Sequence, residues 1–179
     1  AGIIKPGVPV VVGEYLPETR NIFTRKAKEV NAPLHFAQDQ YTVSQLEYTV
    51  QSLSCNVTDA KHKITESFQL DLNGLYQARN LCTVLCAEGI LKEKGWQLKN
   101  EDEKAALKNV KALTGLHGRW DVISNDPTIV LDVAHNEDGI KQLLQQLLFV
   151  RDPSSTTHFI LGMVKDKDAG KVLSLLPRH

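Results

Sequence analysis

The order of apolar and polar residues predicts that the chain begins with a β-α-β unit. An apolar run from Val8 to Val12 is followed by Pro17, which opens a stretch with apolar residues at helical spacing. A second short apolar segment around residues 34–36 supplies the returning strand. Because such a crossover joins parallel strands that helices cover, residues 1–38 are predicted to be α/β.

A different pattern begins after this unit, where apolar and polar residues alternate over residues 41–72. Alternation of this kind is typical of antiparallel strands and predicts a meander. Helical spacing then follows up to Gly95. A second helix is expected next, with Asn100 as its N-cap residue and Glu103 at the third helical position.

Residues 115–118 interrupt the helical pattern with two glycines, and we place a domain boundary there. The first domain is predicted to cover residues 1–117 and the second residues 118–179. The second domain is expected to be α/β and incomplete, because it has too few strands for a doubly wound sheet. Its expected elements are a strand from Arg119 to Ser124, a strand over 128–133, a helix from 137 to about 148, a strand from His158 to Met163 and a helix from about Asp168 to Leu176.

Composition and charge indicate a globular protein whose ligands are small molecules. The 179 residues are 42% hydrophobic and 23% charged, and 21 basic residues balance 21 acidic ones. The balanced charge therefore gives no reason to expect nucleic acid or a membrane surface as a partner. The sequence has no apolar run of about 18 residues and no signal-peptide pattern, which indicates the cytoplasm.

Several common site motifs are missing from the sequence. The three cysteines and six histidines show no metal-ligand spacing, so no metal site is predicted within the chain and the cysteines are expected to be buried thiols. Neither G-x-x-x-x-G-K-[ST] nor G-x-G-x-x-G occurs. The chain is therefore not expected to hold a triphosphate without other residues.

Two polar side chains stand out at and before the predicted domain boundary. Asn80 lies near the start of a predicted helix, where its carboxamide could hydrogen-bond a heterocycle; an ordinary helix surface is the alternative. Arg119 follows a glycine at the boundary and suits phosphate, because arginine stays charged and offers parallel donors. A plain surface arginine is the ordinary interpretation. Trp120 is predicted to belong to the core.

A third polar group follows an apolar strand, at the point where a helix should begin. Asp132 and His135 lie there, and Asn136 is predicted to cap the helix. A carboxylate at this place can pair with ribose hydroxyls, and an imidazole at a helix N-terminus can face phosphate oxygens. The alternative is that Asp132 helps only to cap the helix and that His135 is solvated. Lys165 lies in the charged stretch 162–168, which is expected at the same sheet edge; a solvated loop is the ordinary interpretation.

Five motifs occur in a fixed order along the chain. They are residues 1–12 (AGIIKPGVPVVV), Leu72–Asn80 (LNGLYQARN), Gly118–Trp120 (GRW), Leu131–Asn136 (LDVAHN) and Gly162–Asp168 (GMVKDKD). Together they resemble the folylpolyglutamate synthase and dihydrofolate synthase branch of the Mur ligase superfamily, over the whole chain. One departure is Val133, which adds a β-branched side chain where family members usually have glycine.

This resemblance implies the latter part of a central P-loop ATPase domain in residues 1–117, followed by the start of a Rossmann-like C-terminal domain. It implies an ATP-dependent amide ligase, in which a carboxylate of dihydropteroate or a folate is phosphorylated and L-glutamate attacks the acyl phosphate. ATP and Mg²⁺ would be required, and the full-length protein would be a monomer. Because the family's phosphate-binding loop and metal ligands are not in this sequence, the chain is expected to be a fragment that is inactive alone.

The resemblance also implies roles for the candidate residues. Its expected nucleotide-binding residues are Asn80, Arg119, Asp132, His135, Asn136 and Lys165. Asn80 would contact adenine, Asp132 the ribose and Arg119 the phosphates. His135 would face the phosphates or the bound glutamate, so Arg119 and His135 would be the catalytic residues. Two alternatives stay open: another Mur-type ligase acting on a different carboxylate, and a non-catalytic nucleotide-binding module of the same fold.

Overall fold

The computed structural model describes residues 2–152, 154–163 and 169–177. We call residues 2–117 the first segment and the described residues from 118 onward the second segment. The elements in chain order are β1 (Val10–Val12), α1 (Pro17–Glu29), β2 (Leu34–Phe36), α2 (Ala37–Gln40), β3 (Tyr41–Tyr48), β4 (Leu53–Asp59), β5 (Ile64–Leu70), α3 (Gln77–Glu93), α4 (Asn100–Leu107), α5 (Val110–Thr114), β6 (Asp121–Asn125), β7 (Thr128–Leu131), α6 (Glu137–Val150) and α7 (Ala169–Leu175). The fold is mixed α/β, as predicted.

The predicted β-α-β unit is confirmed. Strands β1 and β2 pair in parallel, with Val11 opposite His35, and α1 crosses between them. Pro17 opens α1 because the first helical position needs no backbone N–H donor. The helix buries Ala27 against a small core that also includes Ile4.

The predicted meander is confirmed as well, and it supports the main core. Strands β3, β4 and β5 form one antiparallel sheet in that order, and α3 packs against it. The buried residues of this core include all three cysteines, Cys55, Cys82 and Cys86, which are free thiols. Burial raises the pKa of the Cys82 thiol to about 11, so it remains protonated at neutral pH.

The expectation for the following helix was partly wrong. Asn100 is the first residue of α4 and not its N-cap, and its side-chain oxygen accepts a hydrogen bond from Lys92 Nζ at 3.0 Å. The helical stretch also divides into α4 and α5. The break is stabilised by a tertiary contact, because the first turn of α5 donates Lys111 N–H to Asp71 Oδ2 at 2.8 Å. Local sequence pattern carries no information on such a contact.

The second segment differs from its prediction in two places. Strands β6 and β7 form an antiparallel pair, and β7 ends at Leu131 instead of residue 133. The strand predicted for His158 to Met163 is wrong, since these residues have no regular secondary structure and Ile160 is 99% exposed. The apolar run has no neighbouring strand with which to pair among the described residues.

Other expectations for the second segment are confirmed. Asn136 caps α6 by accepting a hydrogen bond from Gly139 N–H at 2.8 Å, and α7 lies close to its predicted position. Trp120 is buried, and its indole N–H donates to Tyr48 Oη at 3.1 Å. No helix within the described residues is long and apolar enough to span a bilayer.

Candidate functional site

A pocket of about 170 Å³ lies where the two segments meet. The first segment contributes the residue that precedes α3, and the second contributes the 118–120 link, the end of β7 and the first turns of α6. Its lining residues are Tyr76, Arg119, Asp132, Val133, Ala134, His135, Asn136, Gly139 and Gln142. We call it the Arg119 pocket.

The carboxylate of Asp132 organises this pocket. One oxygen accepts hydrogen bonds from Trp120 N–H at 2.8 Å and Tyr76 Oη at 3.2 Å, and the other accepts from Ala134 N–H at 2.8 Å. A carboxylate has about four acceptor positions, so three are filled and about one remains for a ligand. Asp132 therefore has a structural role whether or not it also contacts a ribose.

The phenol of Tyr76 joins the first segment to this carboxylate. Burial raises the pKa of Tyr76 well above its usual value, and the adjacent Asp132 carboxylate raises it further. The nearby Arg119 guanidinium acts in the opposite direction but is outweighed. The hydroxyl therefore stays protonated and serves as a donor.

The backbone at Arg119 is held in place by its two neighbours. Gly118 and Trp120 both have positive φ angles, +73° and +51°, and the Trp120 N–H is fixed by Asp132. A positive φ at a bulky residue is rare and is stable only where surrounding contacts impose it. The half-buried guanidinium of Arg119 makes no hydrogen bond or ion pair with any residue that the structure describes. The backbone at Arg119 is therefore held in place, and its guanidinium has no hydrogen-bonded anion among the described residues.

The N-terminus of α6 forms the opposite wall of the pocket. Asn136 Oδ1 is used for capping, and the exposed His135 ring is tethered through Nδ1 to Val133 O at 2.9 Å. Backbone N–H groups at a helix N-terminus favour anions. Glu137 and Asp138 in the first turn add negative charge, so this wall alone is a weaker anion site than one without acidic residues.

Val133 has a specific neighbour in the turn. Its N–H donates to Gly118 O at 2.9 Å, and its Cγ1 would lie 2.6 Å from a Cβ placed on Gly118. The side chain of Val133 therefore occupies the space that the glycine leaves open. The residue that departs from the family pattern is accommodated by the residue that precedes Arg119.

The structure brings together four of the six predicted binding residues: Arg119, Asp132, His135 and Asn136. Asn80 does not line the pocket; it is exposed on α3, and its amide donates to Gln77 Oε1 at 2.8 Å. Its predicted contact with adenine stays a prediction. Lys165 lies outside the described residues.

Among the lining residues with polar side chains, two were not predicted from the sequence, Tyr76 and Gln142. Tyr76 occurs in the same motif as Asn80 and immediately precedes α3, a position from which a side chain can reach the adjoining segment. Gln142 lies on the second turn of α6. Its place could have been inferred from helical spacing, because it is three residues after Gly139.

The pocket suits part of a nucleotide. Pockets for drug-sized ligands usually have volumes of about 300–1,000 Å³, so the pocket would hold only a portion of ATP. The Arg119 cation, which has no hydrogen-bond partner among the described residues, fits a phosphate. For Mg²⁺ the fit is absent: within the described residues there is no cluster of three or more His, Cys, Asp or Glu that could hold a metal ion.

Comparisons with known proteins identify the relatives of this chain. Residues 118–178 match the family described as Mur ligase, glutamate ligase domain. The chain is 31% identical over 172 residues to a folylpolyglutamate synthase of Lacticaseibacillus casei, covering 94% of this chain and 38% of that protein. It is 28% identical over 168 residues to a dihydrofolate synthase/folylpolyglutamate synthase of Bacillus subtilis, with 93% and 38% covered.

Solved structures agree with these sequence matches. A mutant of the L. casei synthase superposes with a TM-score of 0.73 over 98% of this chain and 42% of that one, and its 24% identity supports the fold alone. A folylpolyglutamate synthase complex with AMPPCP and folate has a TM-score of 0.70 and 27% identity, with 84% and 36% covered. The chain spans about two fifths of the length of the relatives it matches. Nearly the whole chain is thus similar to folylpolyglutamate synthases and dihydrofolate synthases, and residues 118–178 match the Mur ligase glutamate ligase domain.

Proposed function

We propose that this chain supplies part of the ATP site of a ligase that adds L-glutamate to dihydropteroate or folates. The observation that carries the proposal is the guanidinium of Arg119, which lines a pocket that both segments build and has no hydrogen-bond or ion-pair partner among the described residues. The relatives named as synthases of folylpolyglutamate, and the complex with an ATP analogue and folate, support the substrate class.

The proposed reaction has two steps, a phosphoryl transfer followed by an acyl transfer. A carboxylate oxygen of the folate attacks the γ-phosphorus of ATP, and the bond from phosphorus to ADP breaks. The amine nitrogen of glutamate then attacks the acyl carbon, the bond to phosphate breaks, and the amine loses a proton. Several negative charges meet in the first step, so a fixed cation that replaces water is favourable.

In this proposal each pocket residue has a defined task. Arg119 binds the phosphates, Asp132 orients the ribose with its remaining acceptor position, and His135 faces the phosphates or the glutamate. Asn136 keeps the α6 N-terminus in place by capping it. Asn80 would meet adenine only if the base extends along α3 beyond Tyr76, and Lys165 would approach the phosphates.

The proposal assigns residues 1–117 to the central ATPase domain and residues 118–179 to the Mur-type C-terminal domain. Residues of the complete protein outside this chain would supply the phosphate-binding loop and the ligands of Mg²⁺. We also propose a cytoplasmic monomer that binds neither nucleic acid nor membrane. The balance of 21 basic and 21 acidic residues supports the last point.

The test uses the complete protein that contains this chain. ADP release is measured with ATP, L-glutamate and one of three acceptors: dihydropteroate, a folate or a muramyl peptide. Release that requires both glutamate and a pteroate or folate acceptor is expected. Release only with the muramyl peptide would indicate a different Mur-type ligase, and nucleotide binding without any acceptor-dependent release would indicate a non-catalytic module.

A further inference from the structure

Gln146, on α6, makes a buried polar connection between the two segments. Its side chain is 0% exposed, although glutamine is mostly a surface residue. Its Oε1 accepts a hydrogen bond from Leu75 N–H at 2.7 Å, and its Nε2 donates to Asn73 O at 2.8 Å. One carboxamide thus satisfies two backbone groups of the first segment that lie 71 and 73 positions earlier.

The backbone that Gln146 holds is itself anchored to the meander. Asn73 is 2% exposed, and its side-chain amide donates to Val50 O in the β3–β4 connection. The connection therefore runs from α6 through the 73–75 backbone to the antiparallel sheet. An apolar residue at 146 would fill the space but would leave a buried N–H and a buried C=O without partners.

This backbone leads directly into the Arg119 pocket. The residue after Leu75 is Tyr76, whose hydroxyl donates to Asp132, and Asp132 also holds the N–H that follows Arg119. Gln146 itself does not line the pocket. Gln146 fixes the distance between α6 and the 73–75 backbone. It thereby also fixes the distance between the Tyr76 hydroxyl and the Asp132 carboxylate.

We propose that Gln146 is a positioning residue, which fixes the two segments at the spacing that forms the Arg119 pocket. Its effect on ligation rests on the proposed function, but its effect on segment spacing does not. The orientation of Arg119 toward a phosphate is expected to depend on it, because a shift of about 1 Å can cost about 10²-fold in rate.

The experiment measures the distance between the segments in the complete protein. Spin labels are attached to cysteines introduced by Lys61→Cys, in the turn after β4, and Arg151→Cys, after α6; both positions are exposed. A narrow distance distribution is expected with Gln146. Gln146→Met, which removes both hydrogen bonds, is expected to broaden or shift that distribution and to lower kcat/KM for ATP at least about tenfold.

Gln146→Glu is expected to restore both hydrogen bonds only when its carboxyl group is protonated. Its ionised carboxylate can accept from Leu75 N–H but cannot donate to Asn73 O, whereas its protonated form can do both. The narrow distribution is therefore expected to return in Gln146→Glu as the pH falls, while the protein with Gln146 keeps the same distribution at both pH values. Because an ionised carboxylate is costly at any buried position, Gln146→Met, which introduces no charge, decides whether the lost hydrogen bonds alone change the distribution.

Ile140→Val is the matched control, because Ile140 is 1% exposed on the same helix and lies in the core. It should lower the melting temperature without changing the distribution. Unchanged distributions in both Gln146 variants, with only a lower melting temperature, would overturn the proposal. If the protein with Gln146 shows no ligase activity, the proposed function fails, and the distance measurement still decides the role of Gln146.

Discussion

Asp132 accepts a hydrogen bond from the backbone N–H of Trp120, 12 positions earlier, at 2.8 Å. The same oxygen receives the hydroxyl of Tyr76 from the first segment. A single carboxylate therefore fixes the backbone on one side of Arg119 and ties it to the residue that precedes α3. The two interpretations of Asp132, ligand contact and local capping, are not exclusive, because its other oxygen also binds Ala134 N–H.

Replacing Asp132 by asparagine should reduce both stability and nucleotide affinity. An amide has one acceptor oxygen, so in either orientation its NH₂ group faces a donor, either Ala134 N–H or the pair of Trp120 and Tyr76. Leaving a buried donor unpaired costs about 1–3 kcal/mol. Urea unfolding should show a loss of this size for Asp132→Asn, and titration calorimetry should show a higher Kd for ATP.

Asp126→Asn is the matched control, because Asp126 lies exposed in the turn between β6 and β7. It should change neither quantity. If Asp132→Asn lowers the free energy of unfolding but leaves the Kd for ATP unchanged, Asp132 has only its structural role and the ribose contact is rejected.

Arg119→Ala should separate activity from stability. Arginine contacts to a transferring phosphoryl group contribute roughly 10³-fold or more to the rate, so kcat of the complete enzyme should fall by about that factor. The free energy of unfolding should change by no more than about 0.5 kcal/mol, because the guanidinium has no hydrogen-bond or ion-pair partner among the described residues.

Arg25→Ala controls for the loss of one positive charge, because Arg25 is exposed on α1. Its ion pair with Glu29 is long, with 4.0 Å between Nε and Oε1, and contributes little. The kcat of this variant should match that of the unchanged enzyme. Near-normal ligation by Arg119→Ala would remove Arg119 from the mechanism.

The sequence predicts those parts of this fold that depend on local periodicity. The β1-α1-β2 unit, the meander and the Asn136 cap follow from apolar spacing and from one capping residue. The failures share a different cause. Residues 158–163 have an apolar composition typical of a strand. They form none, because a strand needs a neighbouring strand for its backbone hydrogen bonds and none is available among the described residues. The break between α4 and α5 likewise involves a contact with Asp71, which is distant in sequence.

The candidate site shows the same division. Asp132, His135 and Asn136 are neighbours in sequence, so a strand followed by a helix is enough to place them together. Tyr76 lies beside them only because the two segments pack together, and this packing cannot be predicted from apolar periodicity. The role of Gln146 is still more difficult to predict from the sequence. Its two backbone partners lie more than 70 residues away, and the apolar residues around it on the helix give no sign of them.

Gly118→Ala should destabilise the protein for two reasons that can be measured separately. Gly118 has a φ of +73°, and its added Cβ would lie 2.6 Å from Val133 Cγ1. The left-handed conformation alone costs roughly 1–2 kcal/mol for a residue with a side chain. Gly115→Ala measures that cost, because Gly115 has a φ of +68° and no atom within 4 Å of the added Cβ.

Chemical denaturation should therefore show a larger loss for Gly118→Ala than for Gly115→Ala. Adding Val133→Ala removes both γ carbons, including the Cγ1 that the new Cβ would meet, and should recover the difference, leaving only the conformational cost. Equal losses for the two glycine variants would mean that Val133 moves aside freely and that the turn tolerates it without help from Gly118.

The Glu103 carboxyl, on α4, should make stability decrease as the pH rises. Its pKa is raised from 4.5 to about 7, mainly by burial and then by a hydrogen bond to Glu88 on α3 and the negative charges of Glu88 and Glu66, while Lys92 acts in the opposite direction. Two carboxyl groups can share a hydrogen bond only if one keeps a proton. The folded state therefore favours protonated Glu103, and the stability that this gives is complete below about pH 4.5 and is lost as the pH rises through about 7.

Glu103→Gln should remove this dependence, because its amide donates to Glu88 at every pH. The difference in unfolding free energy between Glu103→Gln and the unchanged protein should grow in favour of the variant from pH 5 to pH 8. Glu101→Gln, in the exposed first turn of the same helix, is the control and should show no such growth. Parallel stability profiles for all three proteins would mean that Glu103 ionises in the folded state as freely as in the unfolded chain, and that the contact between α3 and α4 involves no shared proton.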